Sequence, residues 1–427
     1  MTENNDILLL NAAKAGNIQQ LSQILATGVK VDACDTHGTT ALMFAANLGY
    51  TEVVRSLVHA GANINLKRRT YSLTALMLAA TANQKDIVKL LIAQGADINA
   101  MNEDGSTALM AAVVKGHIEI VNILLAAGAD VEIADHDEDT ALKLAIKHQQ
   151  TEIVKALLEN HDIVNQQNQE GETALMIAAD LGYTEIVQIL ISLGADVNLK
   201  NSDGETALLA AVATGNTDIV INLLDAGAEI NHQDQDGETA LHIAVVEEYI
   251  DVVTILLQRG ANCEIRNNLG DTPLLIAAFQ GYANVVVILI KAGANIEEKN
   301  LGEVPLTLAI SQGHQDTVKV LLDHGANMNK LADDGATPLI KSLTGNHPEI
   351  FKMLLTKGVD VNYPDYNGAT PLMWAVSQGF AQAVVTLLQA GANVNAKNRG
   401  GYTALMIAEL HNYRGIANIL RQAGSID

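Results

Sequence analysis

The feature that most constrains this chain is a short motif that returns at an almost constant spacing along its length. Each copy begins with a threonine, then alanine or proline, then leucine, and successive copies are 33 residues apart with two single-residue exceptions. The threonines are Thr40, Thr74, Thr107, Thr140, Thr173, Thr206, Thr239, Thr272, Thr337, Thr370 and Thr403, with Val304 in the remaining copy. A period of this length predicts a solenoid in which each repeat packs only on its neighbours.

The copy at residues 201–233 illustrates the local structure that the motif predicts. Thr206 suits the N-cap of a first helix, because its hydroxyl can accept from a free backbone N–H. Gly215 and Gly227 follow the first and second apolar segments, where a left-handed glycine commonly ends a helix. Each helix is about two turns long, so its stability has to come from stacking.

The full motif reads D-x-x-G-x-T-P-L-x-x-A-A-x-x-G-H-x-(E/D)-I-V-x-x-L-L-x-x-G-A-(D/N)-V-N, and residues 168–198 and 234–262 follow it closely. On this motif the chain resembles the ankyrin repeat family, with about thirteen repeats over residues 6–427. The resemblance implies an all-α solenoid of stacked antiparallel helix pairs with projecting β-turn or hairpin loops. It also implies a concave face of turn tips and first helices that binds a protein.

We expect residues 1–427 to form a single array without an appended domain. Polar residues at the two ends indicate an N-terminal capping repeat at about 6–34 and a C-terminal one at about 398–427. The internal repeats then occupy about 35–397.

The fifth repeat departs most from the pattern. Glu138 replaces the turn glycine, His148–Gln150 replaces the glycine after the first helix, and His161 replaces the glycine after the second. Side chains at left-handed positions cost free energy, unless neighbouring Asn160 takes the left-handed role at the last one. We therefore expect this repeat to open most easily, and uniform hydrogen-exchange protection across residues 135–167 and the neighbouring repeats would contradict that expectation.

Charge and composition restrict the class of partner and the compartment. With 26 basic and 49 acidic side chains the formal net charge is −23, which disfavours nucleic acid and anionic membranes and favours a basic protein segment. The N-terminus lacks a basic signal flank, no apolar run is long enough to span a membrane, and Cys34 and Cys263 are too far apart to pair. These features predict a cytoplasmic monomer.

No residue pattern in the chain indicates catalysis, a metal site or a cofactor. His117, His314 and His347 share a position with tyrosines and a phenylalanine, and His242 shares one with methionines, so these histidines are interpreted as packing residues. The spacing of zinc ligands, a G-x-S-x-G elbow and a phosphate-binding loop are absent from the sequence. We expect a protein that is not an enzyme.

The candidate binding residues are carboxylates at the turn tips and just before the threonines. They are Glu103, Asp104, Asp137, Asp139, Glu170, Glu172, Asp203, Glu205, Asp236, Glu238 and Asp271. An acidic stripe of this kind suits a basic partner; the alternative is that it only keeps the array in solution. Tyr366 and Tyr402 should be exposed as a second patch of contact residues, whereas Trp374 should be partly buried.

The sequence therefore predicts a scaffold or adaptor that binds protein partners on its concave face. An inhibitor or assembly factor for a basic client is the alternative within binding proteins. A regulatory subunit of an enzyme and a purely structural spacer are the alternatives from other classes.

Overall fold

The computed structural model of the chain describes residues 2–159 and 162–425. These residues form 26 helices, and their β-structure is limited to isolated bridges such as Cys34 to Thr40. They fall into two compact units, Met1–Ser202 and Asp203–Asp427. The fold class is the predicted all-α solenoid of helix pairs.

The first unit contains six helix pairs. Their bounds are α1 Thr2–Lys14, α2 Ile18–Leu25, α3 Ala41–Leu48, α4 Thr51–His59, α5 Ala75–Thr81, α6 Lys85–Ala93, α7 Ala108–Val114, α8 Ile118–Ala126, α9 Ala141–Lys147, α10 Thr151–Leu158, α11 Ala174–Asp180 and α12 Thr184–Ser192. The first helix of each pair packs on the first helices of neighbouring repeats, and second helices pack on second helices. Helix α1 begins before the expected start of the capping repeat at residue 6.

The second unit contains seven helix pairs with the same packing. Their bounds are α13 Ala207–Ala213, α14 Thr217–Asp225, α15 Ala240–Val246, α16 Ile250–Gln258, α17 Pro273–Gln280, α18 Ala283–Lys291, α19 Pro305–Gln312, α20 Gln315–Asp323, α21 Pro338–Thr344, α22 Pro348–Thr356, α23 Pro371–Ser377, α24 Ala381–Gln389, α25 Ala404–Leu410 and α26 Arg414–Gln422.

The threonine of the motif caps the first helix as expected. The Thr40 hydroxyl accepts from the Met43 N–H at 3.3 Å, and the Met43 sulfur faces the Thr40 N–H at 3.5 Å. In the copy that has Val304, the Thr307 hydroxyl instead accepts from the Val304 N–H at 2.9 Å. This bond takes the place of the Met43 sulfur contact, while the N–H of Thr307 has no side-chain cap in this copy.

Glycine after the first helix leaves room for a ring from the next repeat. A Cβ on Gly281, which has φ of 85°, would lie 2.6 Å from the His314 ring. His314 Nε2 also lies 2.9 Å from the Phe279 carbonyl oxygen at the end of α17. The histidine at this position thus packs as predicted, and it adds a hydrogen bond between repeats that the sequence did not reveal.

Residues with side chains occupy several left-handed positions where other copies have glycine. Glu138, Gln149 and Glu248 have φ of 61°, 52° and 56°. Glu138 and Gln149 thus adopt the left-handed conformation that glycine has at these positions in other copies. That the fifth repeat opens easily stays a prediction. Asn160 and His161, for which a left-handed conformation was considered, lie outside the described residues.

Thr317 on α20 should be a site where one substitution stabilises the protein. It is fully buried where most other copies have valine or isoleucine, and its hydroxyl has no hydrogen-bond partner among the described residues. On folding, this hydroxyl loses its hydrogen bonds to water and gains none from the protein. Thr317→Val should therefore raise the free energy of unfolding by about 1 kcal/mol. Thr307→Val is the matched control, since that buried hydroxyl bonds Val304, and it should lower stability in the same urea-unfolding assay. An unchanged or lower midpoint for Thr317→Val contradicts the interpretation.

Candidate functional site

Each turn tip is built by a side chain that binds the backbone of its own turn. In the first unit, Asn102 Oδ1 accepts from the N–H groups of Asp104 at 2.9 Å and Ser106 at 2.7 Å. In the second unit, Asp234 Oδ1 does the same for Asp236 at 2.9 Å and Glu238 at 2.8 Å. This short-range bonding is the reason that aspartate and asparagine recur at these positions.

Backbone hydrogen bonds join one tip to the next, and we call this series the tip ladder. In each rung, the N–H of one tip donates to the carbonyl oxygen of the preceding tip. The rungs of the first unit are Arg69 to His37 at 3.0 Å, Glu103 to Tyr71 at 3.1 Å, His136 to Asp104 at 2.9 Å and Ser202 to Glu170 at 2.7 Å. In the second unit, Gln235 binds Asp203 at 3.0 Å, Asn268 binds Asp236 at 2.9 Å and Arg399 binds Asn367 at 2.9 Å. Within each unit the ladder fixes the spacing of the tips that it joins.

Six of the predicted carboxylates lie exposed on the tips, and we call them the tip carboxylates. They are Glu103, Asp104, Asp137 and Glu170 in the first unit and Asp203 and Asp236 in the second. Within the described part of the chain, the carboxylates of Asp104, Asp137, Glu170 and Asp236 have no ion pair or hydrogen-bond partner. Their charge is therefore not neutralised within their own unit.

The carboxylates just before the threonines, which we call the pre-threonine carboxylates, are mostly engaged inside the fold. Asp139 is only 7% exposed and binds Lys143 at 3.1 Å and Lys147 at 2.7 Å, so it does not belong to an exposed stripe. Burial alone would raise the pKa of Asp139, but hydrogen bonds from Lys147 and Lys143 outweigh it and hold the pKa below its usual range. Half-buried Glu172 accepts from the Asn168 amide at 2.8 Å.

In the second unit, two of the three pre-threonine carboxylates accept hydrogen bonds from the next repeat. Asn267 donates to Glu238 at 3.3 Å, and Asn300 donates to Asp271 at 2.7 Å. Burial, with smaller contributions from the charges of neighbouring aspartates, raises the pKa of Glu238. Glu205 is the exposed member of this set. The pre-threonine carboxylates thus contribute mainly to stacking, and the tip carboxylates remain the candidate binding surface.

Aromatic residues of the second unit lie where the sequence predicted. Tyr366 is 47% exposed and Tyr402 50% exposed, while Trp374 is half-buried and donates through Nε1 to Asp365 at 2.9 Å.

Two exposed leucines at neighbouring tips were missed in the sequence reasoning. Leu269 is 75% exposed and Leu301 88% exposed. Their signal was an apolar residue at the tip position where most other copies have aspartate or glutamate.

A lysine cluster in the second unit was also missed. The Lys341 ammonium lies 2.7 Å from Glu303 Oε1 and 3.0 Å from Asp334 Oδ2, and its side chain is only 10% exposed. Burial would lower the pKa of Lys341, but the hydrogen bonds that it donates to the Glu303 and Asp334 carboxylates raise the pKa overall. Most other copies have an apolar residue at this position, and that difference was the available signal.

His242 is fully buried between two repeats. Its Nδ1 accepts from the Thr239 N–H at 3.2 Å, and its Nε2 lies 3.2 Å from the Asp271 carbonyl oxygen. Burial is the main cause that lowers the pKa of His242 below its ordinary value of 6.5. The side chain therefore carries the capping role that Met43 has in the second repeat, in addition to the packing role expected from the sequence.

The depressed pKa of His242 should make the second unit less stable in acid. Because the unfolded chain takes up the proton at a higher pH than the folded protein, stability is lost as the pH falls below about 6.5. Each pH unit between the two pKa values lowers the unfolding free energy by about 1.4 kcal/mol. Urea midpoints at about pH 7.5 and about pH 5.5 should differ less for His242→Met than for the wild type. Exposed His324→Gln is the control, and an equal pH dependence in His242→Met and wild type contradicts this account.

The remaining reactive groups form no recognisable chemical site. Cys34 and Cys263 are free thiols. Throughout residues 2–159 and 162–425, no group of histidine, cysteine, aspartate and glutamate side chains is arranged to hold a metal ion. Across the same ranges, every helix is too short or too polar to cross a membrane.

Comparison with known proteins agrees with this geometry. A family model described as ankyrin repeats, in three copies, matches residues 1–68, 63–135, 127–201, 193–267, 262–332, 327–398 and 366–427. The chain belongs to the ankyrin repeat family. Ankyrin repeats are generally protein–protein interaction modules, and they are typically not catalytic.

Individual relatives match only short stretches of this ankyrin repeat chain. Human ankyrin repeat domain-containing protein 29 is 52% identical over 58 residues, which are 13% of this chain and 19% of that protein. Human mitochondrial disaggregase is 46% identical over 63 residues, which are 15% of this chain and 9% of that protein. The chain thus spans about a fifth of the first relative and about a tenth of the second.

Proposed function

We propose that the tip carboxylates bind a basic segment of a partner protein and that the chain acts as a non-catalytic scaffold or adaptor in the cytoplasm. The observation that carries this proposal is that Asp104, Asp137, Glu170 and Asp236 are exposed at turn tips and have no partner among the described residues. Some exposed carboxylates on the second helices are paired instead. Glu119 and Glu152, for example, pair with Lys85 and Lys155 of their own unit.

The tip ladder supports the proposal because it reduces the conformational entropy that the tips would lose on binding. Because backbone hydrogen bonds already hold most tips in place, a partner would not have to order them. Unpaired carboxylates at regular intervals also raise the rate at which a positively charged segment meets the surface.

An affinity capture from a native lysate tests the proposal with two matched variants. In the tip variant, the tip carboxylates are replaced by Glu103→Gln, Asp104→Asn, Asp137→Asn, Glu170→Gln, Asp203→Asn and Asp236→Asn. In the helix variant, the same number of exposed second-helix carboxylates is replaced by Glu52→Gln, Asp86→Asn, Glu152→Gln, Glu185→Gln, Asp218→Asn and Asp251→Asn. We expect a basic partner with wild type and the helix variant but not with the tip variant. If the tip variant keeps every partner, the tip carboxylates serve only to keep the array in solution.

A further inference from the structure

The tip ladder has one gap in the first unit. The N–H of Gln169 should donate to the carbonyl oxygen of Asp137, by analogy with Ser202 and Glu170 one repeat later. Among the described residues of this unit, no hydrogen bond joins that pair, although the rungs before and after it are intact. The fifth and sixth tips therefore lack the backbone hydrogen bond that joins the neighbouring tips.

Glu138 carries a side chain at the turn position where the tips before and after it have Gly105 and Gly171. At the corresponding positions, a Cβ on Gly105 would lie 3.0 Å from the Cα of Asp135, and one on Gly171 would lie 3.0 Å from the Cα of Asn201. At such distances the neighbouring tip has to shift by a few tenths of an ångström. Glu138 occupies this position with φ of 61° and carries a Cβ, so the following tip has to lie slightly farther away than at Gly105 or Gly171.

A cleft of about 240 Å³ opens beside Glu138. Its apolar wall includes Leu142, Ile163 and Ile177, and its polar wall includes the carboxylates of Glu132, Glu138 and Glu172. Ligand pockets for small molecules usually begin at about 300 Å³, so this cleft suits a single side chain of a larger partner.

The charges around the cleft favour a cation. The Glu138 carboxylate has no hydrogen-bond or ion-pair partner among the described residues. The single ammonium group in the lining belongs to Lys143, which is bound to Asp139 at 3.1 Å. Three lining carboxylates therefore outnumber one lysine that is already paired.

We propose that this cleft receives an arginine side chain from the bound partner segment. The guanidinium group would face Glu138 and Glu172, and its methylene groups would lie against Leu142 and Ile177. Arginine fits better than lysine, because its planar fork can donate to two carboxylates at once while its stem covers apolar surface. This inference rests on the proposed binding of a basic segment and names the side chain that is recognised at the fifth repeat.

A peptide-binding assay tests the inference with purified full-length protein. The probe is a fluorescein-labelled peptide of alternating arginine and serine, followed by fluorescence anisotropy. The same peptide with lysine keeps the charge, and the same peptide with citrulline keeps the shape without the charge. We expect wild type to bind the arginine peptide about tenfold more tightly than the lysine peptide, since the compact ammonium group lacks the planar fork that donates to two carboxylates at once. The citrulline peptide should bind most weakly.

Substitutions at Glu138 separate the cleft from the rest of the surface. Glu138→Gly relieves the left-handed strain and lets the tips close, so it should fold at least as stably as wild type and lose the preference for arginine. Glu138→Gln keeps the cleft open without the charge and should also bind the arginine peptide more weakly. Glu248→Gly relieves similar strain in the other unit and should bind as wild type does.

Each outcome of the assay has a distinct meaning. Equal affinity of wild type for the arginine and lysine peptides overturns the arginine cleft and leaves the proposed function standing. The same holds if Glu138→Gly keeps the arginine preference or if Glu138→Gln binds the arginine peptide like wild type. Failure of wild type to bind either basic peptide overturns the cleft and the proposed function together.

Discussion

Replacing Lys341 with methionine should lower the free energy of unfolding of the second unit by about 2–3 kcal/mol. The loss arises because Glu303 and Asp334 would keep their charges and lose the ammonium group that lies 2.7 Å and 3.0 Å away. The Glu303 side chain is only 24% exposed, so water restores little of the lost interaction. The Asp334 side chain is 56% exposed, and this limits the loss to less than that of a fully buried pair.

Urea unfolding monitored by circular dichroism measures this effect. Lys352→Met is the control, because Lys352 pairs with Glu349 while both side chains are more than half exposed, and it should change stability by less than about 0.5 kcal/mol. A second substitution, Glu303→Gln, should restore part of the stability of Lys341→Met, since it removes the charge that was left unpaired. If Lys341→Met is no less stable than Lys352→Met, the cluster contributes nothing and this account of it is wrong.

Replacing Glu138, Gln149 and Glu248 together with glycine should raise the stability of the chain. Each residue has a positive φ that an L side chain adopts at a cost of about 1 kcal/mol, so the three gains should total about 2–3 kcal/mol. The sites lie in different turns, so the gains should be nearly additive. Thermal unfolding measures the increase, and hydrogen exchange shows whether the fifth repeat becomes better protected.

Asparagine at equivalent positions provides the control for this prediction. Asn83 and Asn346 have φ of 57° and 55° after their first helices, the same place as Gln149 in the fifth repeat. Asparagine tolerates the left-handed region better than glutamine or glutamate, so Asn83→Gly and Asn346→Gly should gain less than Gln149→Gly. Equal gains at asparagine and glutamine sites would contradict the strain argument.

Most of the fold could be predicted because the repeat makes residues at one position equivalent. The positions of the motif threonines predicted where nearly every first helix begins, and the positions of the glycines predicted the turns at which helices end. The same frame identified Glu138 and Gln149 as side chains in glycine positions, and their φ values confirm that identification.

The side chains that pair with each carboxylate inside the fold could not be predicted from the 33-residue repeat. Asp139 and Glu170 both lie near a turn, but the first is 7% exposed beside two lysines and the second is exposed without a partner. The difference depends on lysines of α9 at positions that are uncharged in most other copies. A search for acidic residues alone therefore grouped buried and exposed carboxylates together.

The arginine cleft was not foreseen for a related reason. The sequence showed that Glu138 breaks the glycine pattern, and the expected consequence was easier opening of the repeat. The consequence for the next tip depends on how closely neighbouring tips approach each other, and only atomic distances such as the 3.0 Å at Gly105 show it.

The salt dependence of peptide binding tests most directly whether the tip carboxylates form the docking surface. The labelled arginine–serine peptide is titrated with wild type, the tip variant and the helix variant from about 0.05 M to about 0.5 M salt, a range over which screening of exposed charges increases strongly. We expect wild type and the helix variant to lose affinity roughly tenfold or more across this range. The tip variant should bind weakly at every salt concentration. If the tip variant binds as tightly as wild type and with the same salt dependence, the partner does not bind at the tips.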